Sequence, residues 1–165
     1  MDRPLDTIIK NVRVVRPNRT SVDLLDIGMQ DGKFARLAPD IKVDEANQVI
    51  DGRNLLAFPG CVDAHMHVGI YQPLAQDAVT ESKAAAMGGV TSSLNYIRTG
   101  HLYLNRGGPN RELMREAMAL SKGNCWVDYG YHVAPIAPGH IDEMDALLTD
   151  WGVPSFKIFM FYGGY

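Results

Sequence analysis

The chain has 165 residues, 46% of them hydrophobic, and a formal charge of -3 spread over interspersed acids and bases, enough for one ordinary domain or a small domain with part of another. With no basic block and no acidic tail, neither nucleic acid nor an anionic membrane surface is an expected partner. The two cysteines, Cys61 and Cys125, stand in no metal-type or redox-type spacing. The opening residues hold no apolar leader core and no stretch approaches the roughly 20 apolar residues of a membrane span, so a soluble protein of the reducing cytoplasm is expected.

The first third reads as β structure. Residues Thr7 to Val15 are β-branched and partly alternating, and Leu24 to Met29, Asp31-Gly32 and Lys33 to Leu37 form the pattern of a hairpin. A short strand around Gln48 to Ile50 precedes the turn Asp51-Gly52 and the apolar stretch Leu55 to Phe58. Residues 1–57 are thus expected to form a small β-sheet, or sandwich, segment.

After Pro59-Gly60, apolar strands alternate with helical stretches, the signature of βα units on a parallel sheet. The predicted strands are Cys61 to Met66, Val90 to Ile97, Trp126 to Val133 and Val153 to Phe161. A first helix is predicted with Thr80 as its cap and Gly88-Gly89 as its stop. A second is capped by Asn110 and stopped at Gly123, and a third runs from His140 to Thr149. Four such repeats make half of an eight-stranded barrel, which takes roughly 250 residues. Residues 58–165 are therefore read as the first four βα units of a barrel that continues past this sequence. A complete small α/β domain is the alternative, although its ligand site would be expected at a glycine-rich first turn. The long polar loop from Arg98 to Pro109 is a candidate active-site loop.

Side chains two apart on a strand point the same way, so Asp63, His65 and His67 in Pro59-Gly60-Cys61-Val62-Asp63-Ala64-His65-Met66-His67 share one face. Two neutral imidazoles held on one strand end suit a shared divalent ion. Lys157, in the apolar run Phe156 to Phe161, is costly to bury as a free ammonium and calls for a modification or a partner. His101 and His140 read as solvent-exposed, His132 as structural or orienting, and Cys61 as a small buried residue beside the site.

These residues resemble the amidohydrolase superfamily, and within it the dihydropyrimidinase and hydantoinase group of cyclic amidases. The first-strand motif matches Pro-Gly…Asp-x-His-x-His, Gly88-Gly89-Val90-Thr91 matches the step into the second strand, and Asp128 to His132 and Ser155 to Met160 resemble the third and fourth strands. The resemblance implies a TIM-like (β/α)8 metal-dependent hydrolase that opens dihydropyrimidine or hydantoin rings with a metal-activated hydroxide. It assigns His65, His67 and Lys157 as metal ligands, with Lys157 carboxylated and bridging two divalent ions, zinc first among them. Asp63 and Tyr162 are the expected catalytic residues, Tyr162 steadying the oxyanion. A small cyclic amide or ureide is the expected substrate, and the complete protein is expected to be a homo-oligomer, dimer or tetramer. The group's further metal histidines and its late-strand aspartate have no counterpart here. Alternative readings are a non-catalytic truncated or scaffold-type relative, and a dihydroorotase or allantoinase.

Overall fold

The computed structural model describes residues 4–17 and 20–160, and the chain divides into two compact units, Met1–Pro59 and Gly60–Tyr165. In the first unit, β1 (Leu5–Val15), β2 (Val22–Gln30), β3 (Lys33–Ala38) and β4 (Ala46–Asp51) line up in the order β3-β2-β1-β4, and β5 (Leu56–Ala57) also pairs with β1. The hairpin between β2 and β3 closes where the sequence places it. Gln30 pairs with Lys33, and the two residues between them, Asp31 and Gly32, take φ of 51° and 71°, the left-handed geometry that a tight hairpin turn requires.

A bulge between Ile9 and Val12 lets β1 serve two parallel partners in succession, β4 along Leu5 to Lys10 and β5 along Arg13 and Val14. Gly52 bridges the switch. Its N–H donates to the Lys10 carbonyl at 2.7 Å, and a Cβ there would stand 2.7 Å from the Val12 Cβ, so only glycine fits.

The bulge is pinned by Asp26, which is 0% exposed. Its carboxylate accepts from the Asn11 N–H and the Ile41 N–H, each at 2.7 Å, and from Lys10 Nζ at 2.5 Å. Burial alone would raise the Asp26 carboxyl pKa. The hydrogen bond from Lys10, followed by the two backbone donors, outweighs it and holds the group below the ordinary carboxylate value.

The second unit contains β6 (Cys61–His67), α1 (Leu74–Met87), β7 (Val90–Ile97), α2 (Asn110–Ser121), β8 (Asp128–Val133), α3 (Pro138–Ile141) and α4 (Met144–Trp151). The strands form a parallel sheet in the order β6-β7-β8. Its core gathers Tyr96, Ile97, Leu113, Met114, Ala117, Tyr131, Val133, Leu147 and Val153.

Several boundaries differ from the expected ones. The first helix begins at Leu74, where the Pro73 carbonyl accepts from the Gln76 and Asp77 N–H groups. Thr80 is therefore not a cap but a mid-helix residue, its hydroxyl bonded back to Gln76 and Asp77 carbonyls. The third strand starts at Asp128; Trp126 lies outside it, 66% exposed, its N–H donating to Ser82 Oγ. The helix expected over His140 to Thr149 is two helices, Pro138–Ile141 and Met144–Trp151, separated by a turn at Asp142 and Glu143.

The expected fourth strand is not a regular strand among the described residues. Phe156 bridges Val133 in parallel and the Lys157 N–H donates to the Val133 carbonyl at 3.0 Å, and the pairing extends no further. Pro154 has no N–H to give, and among the described residues β8 is the one strand that pairs with this segment. Phe161, the last residue of that predicted strand, lies outside the described residues.

Replacing Asp26 by Ala should destabilise the first unit by roughly 3 kcal/mol, since it orphans two buried backbone donors and takes from Lys10 one of its two carboxylate partners, the other being Asp40. The depressed Asp26 pKa also gives a sign in pH. Its stabilisation is fully present above the unfolded value of about 3.9 and is lost as pH falls through the lower folded value. Urea denaturation between pH 6 and pH 2 should therefore show an acid-side loss in the wild type that is blunted in Asp26→Ala.

Candidate metal centre

His65 and His67 lie on the C-terminal half of β6, two residues apart, and β7 and β8 continue their row, since His67 is level with Tyr96 and Tyr96 with His132. The pleat aims both β6 rings to one side. Their Nε2 atoms are 3.1 Å apart and the rings meet edge on, centroids 4.9 Å apart. Two nitrogens each bonded to one ion at about 2.0–2.1 Å in tetrahedral geometry stand about 3.3 Å apart, so the spacing of the pair is close to what one divalent ion needs.

The far nitrogen of each ring is also held. His65 Nδ1 lies 2.7 Å from His132 Nε2, and His67 Nδ1 lies 2.7 Å from the Tyr103 hydroxyl. Beneath the rings, fully buried Tyr96 packs against His67 at 4.9 Å, Tyr103 at 5.1 Å and Phe159 at 5.3 Å.

Lys157 is half-buried next to this cluster, its Nζ 5.1 Å from the Phe159 ring centroid. Its charge reaches all three histidines. The His65 pKa is lowered first by desolvation and then by Lys157, with Asp63 opposing. His67 is lowered by desolvation, His65 and Lys157, and His132 by desolvation, His65, Lys157 and His67. All three shifts favour the neutral imidazole that a metal requires.

Asp63 stands apart from the rings. Its Oδ1 accepts the His65 backbone N–H at 3.0 Å, a turn-like bond that steadies the strand at His65. Tyr162 lies outside the described residues. No group of three or more His, Cys, Asp or Glu side chains among the described residues is arranged to hold an ion, so the donors assembled here are two imidazoles with a lysine beside them.

Two expectations are corrected, and one residue was missed. Cys61 is exposed, because β6 is the edge of the sheet. His140 is 6% exposed rather than solvated: its Nδ1 accepts the Ile136 N–H and its Nε2 lies 3.1 Å from the Gly108 carbonyl, so it ties together the chain ahead of α2 and α3. Tyr103 was not singled out by any motif; the only signal for it was an aromatic residue inside the polar loop from Arg98 to Pro109. Among the described residues, no helix is long and apolar enough to cross a membrane.

The lowered histidine values predict that the rings of His65, His67 and His132 titrate below about 6.5 in an NMR titration of the metal-free chain. Lys157→Met should move all three upward without restoring them fully, since desolvation remains. The stability linked to these groups is fully present above the unfolded value of about 6.5 and is lost as pH falls through the lowered folded values.

No family model matches the sequence. The D-hydantoinase of Rhizobium radiobacter is 33% identical over 165 residues, covering 97% of this chain and 34% of that protein. An allantoinase from Bacillus licheniformis is 30% identical over 164 residues, covering 94% of this chain and 33% of that protein. Among solved structures, a dihydropyrimidinase from Brevibacillus agri superposes with a TM-score of 0.79 at 25% identity, covering 96% of this chain and 34% of that one. The chain thus spans about a third of the length of the relatives it matches. In sequence and in fold it is a relative of the hydantoinases, dihydropyrimidinases and allantoinases, and it corresponds to the N-terminal portion of that amidohydrolase fold.

Proposed function

We propose that this chain supplies one half of the metal centre of a hydrolase that opens cyclic amides, a dihydropyrimidine or hydantoin ring being the substrate class. The observation that carries the reading is the convergence of His65 Nε2 and His67 Nε2 at 3.1 Å, each with its other nitrogen engaged, beside Lys157. His65 and His67 would hold one divalent ion, zinc being suited to two imidazoles, and Lys157 as a carbamate would join it to a second. The bound ion would lower the pKa of water and polarise the ring carbonyl.

The chain's own residues prepare that chemistry. Desolvation and the Lys157 charge keep the imidazoles neutral and ready to bind. Asp63 fixes the backbone at His65. Tyr162, five residues past Lys157, would donate its phenolic proton in a hydrogen bond to the oxygen that gains charge as the carbonyl is attacked. The ring C–N bond then breaks and the departing nitrogen takes up a proton from a group that these residues do not provide. The complete protein would be a homo-oligomer of the cytoplasm.

Loading the chain with Zn2+ in bicarbonate and measuring its metal content tests the reading. Bound zinc is expected, with affinity reduced by roughly 100-fold or more in His65→Ala, beyond what loss of an outer-shell partner causes. Carbon-13 bicarbonate should label Lys157 as a carbamate. A wild-type chain that takes up no divalent ion would overturn the proposal. Dihydrouracil, hydantoin and allantoin assayed side by side identify the ring that is opened.

A further inference from the structure

The loop after β7 is not a loose connection. Gly100 and Arg106 form an isolated antiparallel bridge, with the Gly100 N–H donating to the Arg106 carbonyl at 2.6 Å, so residues 100–106 close on themselves. Arg106 then anchors the loop to α2, Nη2 to Glu112 at 2.7 Å and Nη1 to Glu116 at 2.6 Å. Within it, Leu102, Leu104 and Asn105 all have positive φ, 83°, 53° and 46°. Such geometry costs non-glycine residues about 1–3 kcal/mol each and persists only where the surroundings impose it.

The residue held by this arrangement is Tyr103. It is 4% exposed, its ring is packed edge on against Tyr96, and the Arg98 guanidinium lies 5.5 Å from its centroid. Its hydroxyl ends 2.7 Å from His67 Nδ1.

We infer that Tyr103 is a positioning residue for the ion site: its hydroxyl accepts the His67 Nδ1 hydrogen, which turns the lone pair of Nε2 toward the point shared with His65. The inference rests on the metal reading above and adds to it a residue from the loop. A ligating histidine commonly gives its other N–H to a fixed acceptor, which sets both the tautomer and the ring angle. His132 holds the far nitrogen of His65 from a strand, and Tyr103 does the same for His67 from a loop. The loop thereby couples its own conformation to the metal affinity of the site.

Tyr103→Phe removes the hydroxyl and keeps the ring against Tyr96. Two readouts on the chain decide the matter: Co2+ titration followed by its visible absorption bands, and ring-nitrogen NMR of the metal-free protein. The expected result is a loss of about 10–100-fold in Co2+ affinity with a displaced His67 Nδ1 resonance and an unchanged far-ultraviolet circular dichroism spectrum. Equal Co2+ affinity in the two proteins overturns the inference, whatever the nitrogens do. If the wild type binds no Co2+, the metal reading fails, and a displaced His67 Nδ1 in Tyr103→Phe still supports the hold of Tyr103 on that ring, while unmoved nitrogens overturn it.

Discussion

The register of three parallel strands is the constraint on which the candidate site depends. Because His67 is level with Tyr96 and Tyr96 with His132, alternation alone sends the imidazoles of β6, the aromatic of β7 and the imidazole of β8 to one side of the sheet. A one-residue slip of β6 against β7 would send both imidazoles to the opposite face, where Asn95 and Ile97 point. Pairing also fixes the neighbours. Gly60 leaves no room for a Cβ beside the Thr91 side chain, whose hydroxyl oxygen would stand 2.1 Å away, so the entry into β6 is packed closely against β7.

Tyr96 converts that register into rigidity. It is fully buried and touches His67, Tyr103 and Phe159, elements that come from a strand, a loop and the segment carrying Lys157. A stiff aromatic floor under two imidazoles restricts their tilt, while the hydrogen bonds at their Nδ1 atoms restrict their rotation. Neutrality follows from the same packing, since the desolvation that disfavours the imidazolium forms arises from these neighbours and Lys157 adds to it.

Much of this was legible in the sequence because it is local. The Asp31-Gly32 turn, the Gly88-Gly89 stop, the strand Val90–Ile97 and the shared face of His65 and His67 each depend on a few adjacent residues. What escaped depends on distant partners. Thr80 has the chemistry of a cap, but Pro73 and the apolar residues after it start the helix earlier. His140 looks like a surface histidine until the Ile136 N–H and the Gly108 carbonyl close on it, and Tyr103 gains its place only when an ion-paired loop folds back over β6. Residues from Val153 to Phe159 have strand composition, yet a strand is defined by its partners, and here they share a single bridge with β8.

The left-handed residues around Tyr103 carry an evolutionary consequence. A glycine at Leu102 or Leu104 would relieve the local backbone, so drift toward greater stability has an easy path through this loop. That path leads away from a fixed tyrosine. The segment is therefore one where relief of the local backbone and retention of a fixed Tyr103 ring pull in opposite directions.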